Sequence, residues 1–252
     1  MQNAWKHTAL GALGGAALAV VIVIVLAAGG LLPGKNSDAQ IHTYLMAHPS
    51  VLVDMTNKLQ AEQDASDEAA RQVAIDKLGM KAFFNPRIAF ISGPANAKTT
   101  LVEFYDYDCP YCRASLPAVK KFYAAHKNDA RFAFIEFPIP SLHGPGAVLA
   151  ARASLAARNQ PAKFAAFYFA LMGEDGPLTD DLIYADAKKA GLDVDRLKRD
   201  MDAPSISTTL AAGHNLAVAA KIDGTPAFII NGRMHEGAVD ETLLKQLAKQ
   251  HV

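Results

Sequence analysis

Two cysteines stand three positions apart as Cys109-Pro110-Tyr111-Cys112, and the 252 residues contain no others. A disulfide joining distant parts of the chain is therefore excluded, and all of the thiol chemistry is confined to one local motif. The motif follows Thr99–Tyr107, a β-branched and aromatic run expected to be a mostly buried strand. After it, Leu116, Val119, Phe122 and Tyr123 share one face of an expected helix. At such a strand-to-helix junction the first sulfur meets unsatisfied N–H groups and the positive end of the helix dipole. Cys109 is therefore expected to titrate below the ~8.5 of a free thiol and to be the reacting sulfur. Cys112, one turn further in and shielded, would resolve the mixed disulfide. Pro110 suits the first helical turn, where a missing N–H does no harm.

Other uses of the pair fit less well. A structural zinc site needs about four ligands, and no second cysteine pair exists. His126, His143, His214 and His235 are scattered, with none at ligand spacing from another, so no metal is expected. Haem attachment wants histidine after the second cysteine, where Arg113 stands. No cofactor is expected. Lysine plus arginine number 25, and aspartate plus glutamate also number 25, so the basic excess of a nucleic-acid binder is absent.

The elements around the motif follow from pattern. Ala9–Leu32 carries no charge and would reach roughly 36 Å as a helix, enough to span a hydrocarbon core of about 30 Å. Residues 1–36 are expected to be a signal-anchor or transmembrane segment at the inner membrane, with the remainder in the periplasm or extracytoplasmic space. Cleavage as a signal peptide near Ser37 and Ala39 would instead release a periplasmic protein, but the apolar stretch exceeds the 7–15 residues usual for such a peptide. Either placement suits disulfide chemistry. Residues 37–84 read as a helical arm, broken near His48-Pro49, and residues 40–80 are the candidate oligomerisation region. Residues 85–252 read as strand (Ile88–Ile91), strand, motif, helix and strand (Arg131–Phe137). A helical block at about 141–222 follows, then strand Ala227–Ile230, an Asn231-Gly232 hairpin turn, strand Arg233–Glu236 and a closing helix from Asp240. Within the block Thr179 and Ser205 are expected to cap helices, and Leu192 and Leu197 to bracket Asp193 as a staple. The order describes a βαβ unit and a ββα unit separated by an inserted helical subdomain, an α/β architecture.

Glu103-Phe104-Tyr105-Asp106-Tyr107-Asp108-Cys109-Pro110-Tyr111-Cys112, with Gly224-Thr225-Pro226-Ala227-Phe228 far downstream, resembles the bacterial DsbA-like thioredoxin-fold proteins. The resemblance runs from about Asn96 to the C-terminus. The anchor and arm are similar to those of the ScsC-type (suppressor of copper sensitivity) and other membrane-bound members. It implies a thioredoxin-like fold and protein disulfide oxidoreductase activity. It also implies that Thr225-Pro226 is a cis-proline loop lying against the cysteines and pairing with substrate backbone. Glu103 matches the family's partly buried acid, which assists proton transfer at the resolving cysteine. Pro110, Tyr111 and Thr225 correspond to positions that tune redox potential. Tyr111 replaces the histidine of typical DsbA oxidases, which leaves oxidase and isomerase both open. Asp106 and Asp108 are read as solvated loop residues whose charge would oppose a thiolate.

The expected partners are unfolded or disulfide-containing exported proteins and a membrane redox partner. Two other classes stand beside this one: a periplasmic copper-binding or copper-handling thiol protein, and a non-catalytic oligomeric chaperone arm.

Overall fold

The computed structural model describes residues 37–250 together with Val21, Ile22, Ile24 and Val25. The rest of the expected anchor, residues 1–36, lies outside the described residues. Among the described residues no helix is long and apolar enough to cross a membrane. The chain divides into two units, Met1–Asp64 and Ala65–Val252.

Helix α1 (Ser37–Ala47) ends where His48 turns its N–H and ring back onto the Tyr44 carbonyl, just before Pro49. Helix α2 (Ser50–Leu78) follows, and in the first unit Ile41, Tyr44, Met46, Leu52, Met55 and Leu59 are all exposed. In the second unit Ile75 is buried, as are Phe83 of the short α3 (Met80–Phe83) and the adjoining Phe84. The core thus takes in the last part of the segment expected as arm.

The second unit is built on five strands: β1 (Phe90–Ser92), β2 (Thr99–Tyr105), β3 (Ala130–Glu136), β4 (Ala227–Ile230) and β5 (Arg233–Glu236). Their order is β1-β3-β2-β4-β5. Only β2 and β3 run parallel, joined by helix α4 (Pro110–His126). Alternation assigns the faces. Leu101, Tyr105, Phe132 and Phe134 face a core shared with Cys109, Cys112 and most of the helical block. Val102, Phe104, Ala133 and Ile135 face another, shared with Ile75, Phe83 and Leu216. Burial on both faces explains why Leu101–Tyr105 of β2 reads as an apolar run broken only by Glu103.

Between β3 and β4 the block comprises α5 (Pro140–His143), α6 (Pro145–Ala157), α7 (Pro161–Leu171), α8 (Asp180–Lys189), α9 (Val194–Met201) and α10 (Pro204–Ala219). Five helices, α4 to α7 and α10, begin on proline, whose fixed φ and missing N–H suit the first turn. Thr179 and Asp193 accept the N–H of Leu182 and Arg196 as side-chain caps. Ser205 does not cap: α10 starts at Pro204, with Ala203 before it and no side-chain cap bond. The first strand is Phe90–Ser92 rather than Ile88–Ile91, β2 stops at Tyr105 rather than Tyr107, and β3 ends at Glu136. At the hairpin, Asn231 and Gly232 both have positive φ, 50° and 84°, as a type I′ turn requires. Helix α11 (Glu241–Lys249) closes the chain, capped by Asp240.

Candidate active site

Cys109 stands at the N-cap of α4 in extended conformation, with Pro110 as the first helical residue. The strand supplies a rigid approach and the helix supplies free N–H groups. Cys109 and Cys112 are free thiols, 2% and 1% exposed. In its protonated form the Cys109 thiol donates to the Thr225 carbonyl at 3.1 Å, and the Thr225–Pro226 peptide bond is cis. Residues 116 positions apart thus meet at one sulfur.

The two thiols are driven in opposite directions. The Cys112 thiol beside it brings Cys109 down to about 5 against the opposing effect of burial, with help from the Thr225 side chain and the N–H groups of Cys112 and Tyr111. Burial, followed by the neighbouring Cys109, pushes Cys112 far above the ordinary thiol range. At neutral pH the pair therefore holds one thiolate and one proton, with the charge on the sulfur at the helix mouth.

Glu103 is buried on β2 and accepts a hydrogen bond from the Tyr168 hydroxyl at 2.9 Å. Desolvation pushes its carboxyl up to about 8, the Tyr168 bond pulling only partly back. It is close enough to Cys112 for its charge to raise that thiol further. Pro226 and Thr225 lie at the start of β4, which pairs with β2 through Glu103 opposite Phe228. Tyr111, one residue past Pro110, is 64% exposed, and Leu142 on α5 is 72% exposed.

Three site features escaped the sequence. Asp106 is not solvated: it is buried, and its carboxylate accepts from Asp108 N–H (2.9 Å), Ile139 N–H (2.8 Å) and His143 Nδ1 (2.7 Å). Asp108, partly exposed, faces Arg113 at 3.6 Å, and Arg113 also donates to the Tyr107 carbonyl at 3.1 Å. Each carboxylate that would oppose a thiolate thus has its own partner. Glu136 is a second buried acid, pushed up to about 8 by desolvation, and it accepts from the Tyr105 hydroxyl. Tyr105 and Tyr107 also meet the Ser154 hydroxyl, at 3.3 and 2.8 Å. Period-two spacing of Glu103 and Tyr105 was the available signal, since it sets both on one face of β2. Among the described residues no cluster of three or more His, Cys, Asp or Glu could hold a metal ion.

The DSBA-like thioredoxin domain matches residues 100–249. A thioredoxin-like oxidoreductase from Silicibacter pomeroyi is 36% identical, with 66% of this chain and 92% of that one covered and a TM-score of 0.58. BcfH of Salmonella enterica Typhimurium is 26% identical, covering 93% of this chain and 100% of its own, with a TM-score of 0.66. The catalytic domain of Proteus mirabilis ScsC is also 26% identical, covering 71% and 96%, with a TM-score of 0.60. Among curated proteins, Na(+)/H(+) antiporter NhaA 1 of Salinispora arenicola is 32% identical over 148 residues, 59% of this chain and 22% of the antiporter. The chain spans about a quarter of the length of the curated relatives it matches.

Proposed function

The chain belongs to the DSBA-like thioredoxin domain family, and on that premise we propose that it exchanges disulfides with exported polypeptides through Cys109 and Cys112. The observation that carries this reading is the Cys109 sulfur at the N-cap of α4, 3.1 Å from the carbonyl of Thr225 in the cis-proline loop. In the oxidised protein a client thiolate attacks Cys109 Sγ, the Cys109–Cys112 bond breaks, and Cys112 leaves carrying the electron pair. Glu103, neutral at pH 7, gives its proton to that sulfur. A second client thiolate then attacks the client sulfur of the mixed disulfide and expels Cys109 as a thiolate, leaving the client oxidised. A leaving thiol that titrates near 5 departs readily, which favours donation of the disulfide over reduction of the client.

Thr225 and Pro226 are the proposed docking edge for client backbone, and Pro110 and Tyr111 the tuners of potential. Exposed Tyr111, within the motif, and exposed Leu142, beside His143 on α5, offer apolar contact, which suits unfolded chains over a small polar substrate. The uncharged run Ala9–Leu32 supports an anchor in the inner membrane with the catalytic domain on the extracytoplasmic side, where a membrane-bound oxidant would renew the disulfide. The exposed apolar side chains of residues 37–64 favour self-association of the arm, which would add isomerase character.

The test is recovery of activity by reduced ribonuclease in the presence of the wild-type protein or Cys109→Ser. Rapid recovery with the first and background recovery with the second is expected. Equal rates would overturn the proposal.

A further inference from the structure

Asp106 joins the reactive motif to the segment after β3. Its carbonyl accepts the Cys109 N–H at 3.2 Å. Burial pushes the Cys112 thiol up, and the Asp106 N–H is among the groups that draw it back, so the backbone of this one residue addresses both cysteines. Its carboxylate is fully buried, and a buried carboxylate is tolerated only when donors surround it. Two donors are backbone N–H groups, of Asp108 and Ile139. The third is the only side chain among them, His143, at 2.7 Å from Oδ2. A carboxylate accepts, so Nδ1 of His143 carries the hydrogen. The ring is 15% exposed while the acid is 0% exposed, so water cannot readily replace it.

We propose that His143 is a positioning residue for disulfide exchange: by donating to Asp106 it fixes the backbone that holds Cys109 and Cys112 and turns an N–H dipole against a carboxylate three residues from the reacting sulfur. The inference rests on the disulfide-exchange reading and names a residue that the motif itself does not contain. Without the donor, the Asp106 carboxylate loses one of its three hydrogen bonds. Its field then opposes the Cys109 thiolate, as like charges do. The other charge beside the motif, Asp108, is answered by Arg113 and cannot compensate.

The experiment measures two quantities on the full chain: the pH midpoint of Cys109 alkylation, and the thiol–disulfide equilibrium with glutathione. His143→Ala is expected to raise the midpoint by about half a unit. Its equilibrium at pH 7 should move about threefold toward the disulfide, since a weaker thiolate disfavours the reduced form. His143→Asn, whose amide N–H stands near the place of Nδ1, is expected to stay close to wild type. In an Asp106→Asn background His143→Ala should have no further effect. Wild-type values in His143→Ala, failure of His143→Asn to rescue, or an undiminished shift in the Asp106→Asn background would each overturn the proposal. Should the alanine variant not fold, His143→Leu keeps the volume, lacks the donor and carries the same prediction. If the wild-type protein does not exchange with glutathione at all, the disulfide-exchange reading falls, and the alkylation midpoints alone judge His143.

Discussion

A carboxyl that titrates near 8 is a neutral acid in the physiological range, and Glu103 is one because burial removes the water that would solvate its charge. Protonated, it can give a hydrogen to Cys112 as that sulfur leaves; ionised, it cannot. Glu103→Gln keeps shape and the Tyr168 contact but holds no transferable proton. It should slow mixed-disulfide formation at least tenfold below pH 8, with the gap closing above that pH as Glu103 itself ionises. Quenched-flow measurement of the mixed disulfide across pH 6–9 reads this directly, and parallel profiles for the two proteins would contradict it. Cys109 makes the complementary point. Its pKa is lowered by its position at the N-cap of α4, where Cys112, Thr225 and two N–H groups converge on the sulfur.

At the scale of strands and helices the acids carry a stability cost of known sign. The folded pKa of Glu136 is raised from 4.5 to about 8. Stability is therefore full below about pH 4.5 and is lost as pH climbs to about 8, because the unfolded chain releases the proton first. Glu136→Gln should leave the urea midpoint unchanged at pH 5 and raise it at pH 9, and an equal change at both would contradict the burial argument. The hairpin between β4 and β5 tests a different joint. Asn231 accepts the Thr100 N–H at 2.9 Å and donates to the carbonyls of Ala248 and Gln250 at 3.0 and 2.9 Å. It thereby ties β2 and the end of α11 to the turn. Asn231→Ala forfeits these bonds at positive φ, and a loss of about 1–3 kcal/mol in chemical denaturation is expected. A loss under about 0.5 kcal/mol would contradict it.

These elements also separate what was legible from what was not. Strands Ala227–Ile230 and Arg233–Glu236 match their expected bounds because Asn231-Gly232 signals its own conformation. The β2–Cys109–α4 junction was legible because a β-branched and aromatic run changes to a helical stripe at the motif. Ser205 misled because a serine near a helix start looks like a cap, while Pro204 had already begun the helix. Asp106 and Glu136 were illegible for a stronger reason. Their burial depends on His143, Ile139 and Tyr105, which are 31 to 37 residues distant, and local pattern carries no record of such partners.

Across the whole molecule the chain joins an apolar N-terminal run, a helical segment with exposed apolar side chains, and a thioredoxin-like unit that holds both cysteines. Residues that expose Ile41, Leu52, Met55 and Leu59 are expected to find a partner, and copies of the same segment are the nearest one. Light scattering on a chain beginning at Ser37 should therefore give a mass above one protomer. Replacing those four residues by serine should return it to a monomer with Cys109 reactivity intact. A monomer before substitution would contradict self-association and leave the disulfide chemistry standing.

The most direct test of the account is the pH dependence of Cys109 alkylation in the reduced wild-type protein, read by mass as single modification. A sulfur held ionised at the mouth of α4 predicts a midpoint near 5, with Cys112 unmodified throughout. A midpoint between 8 and 9, the range of an ordinary thiol, would contradict it.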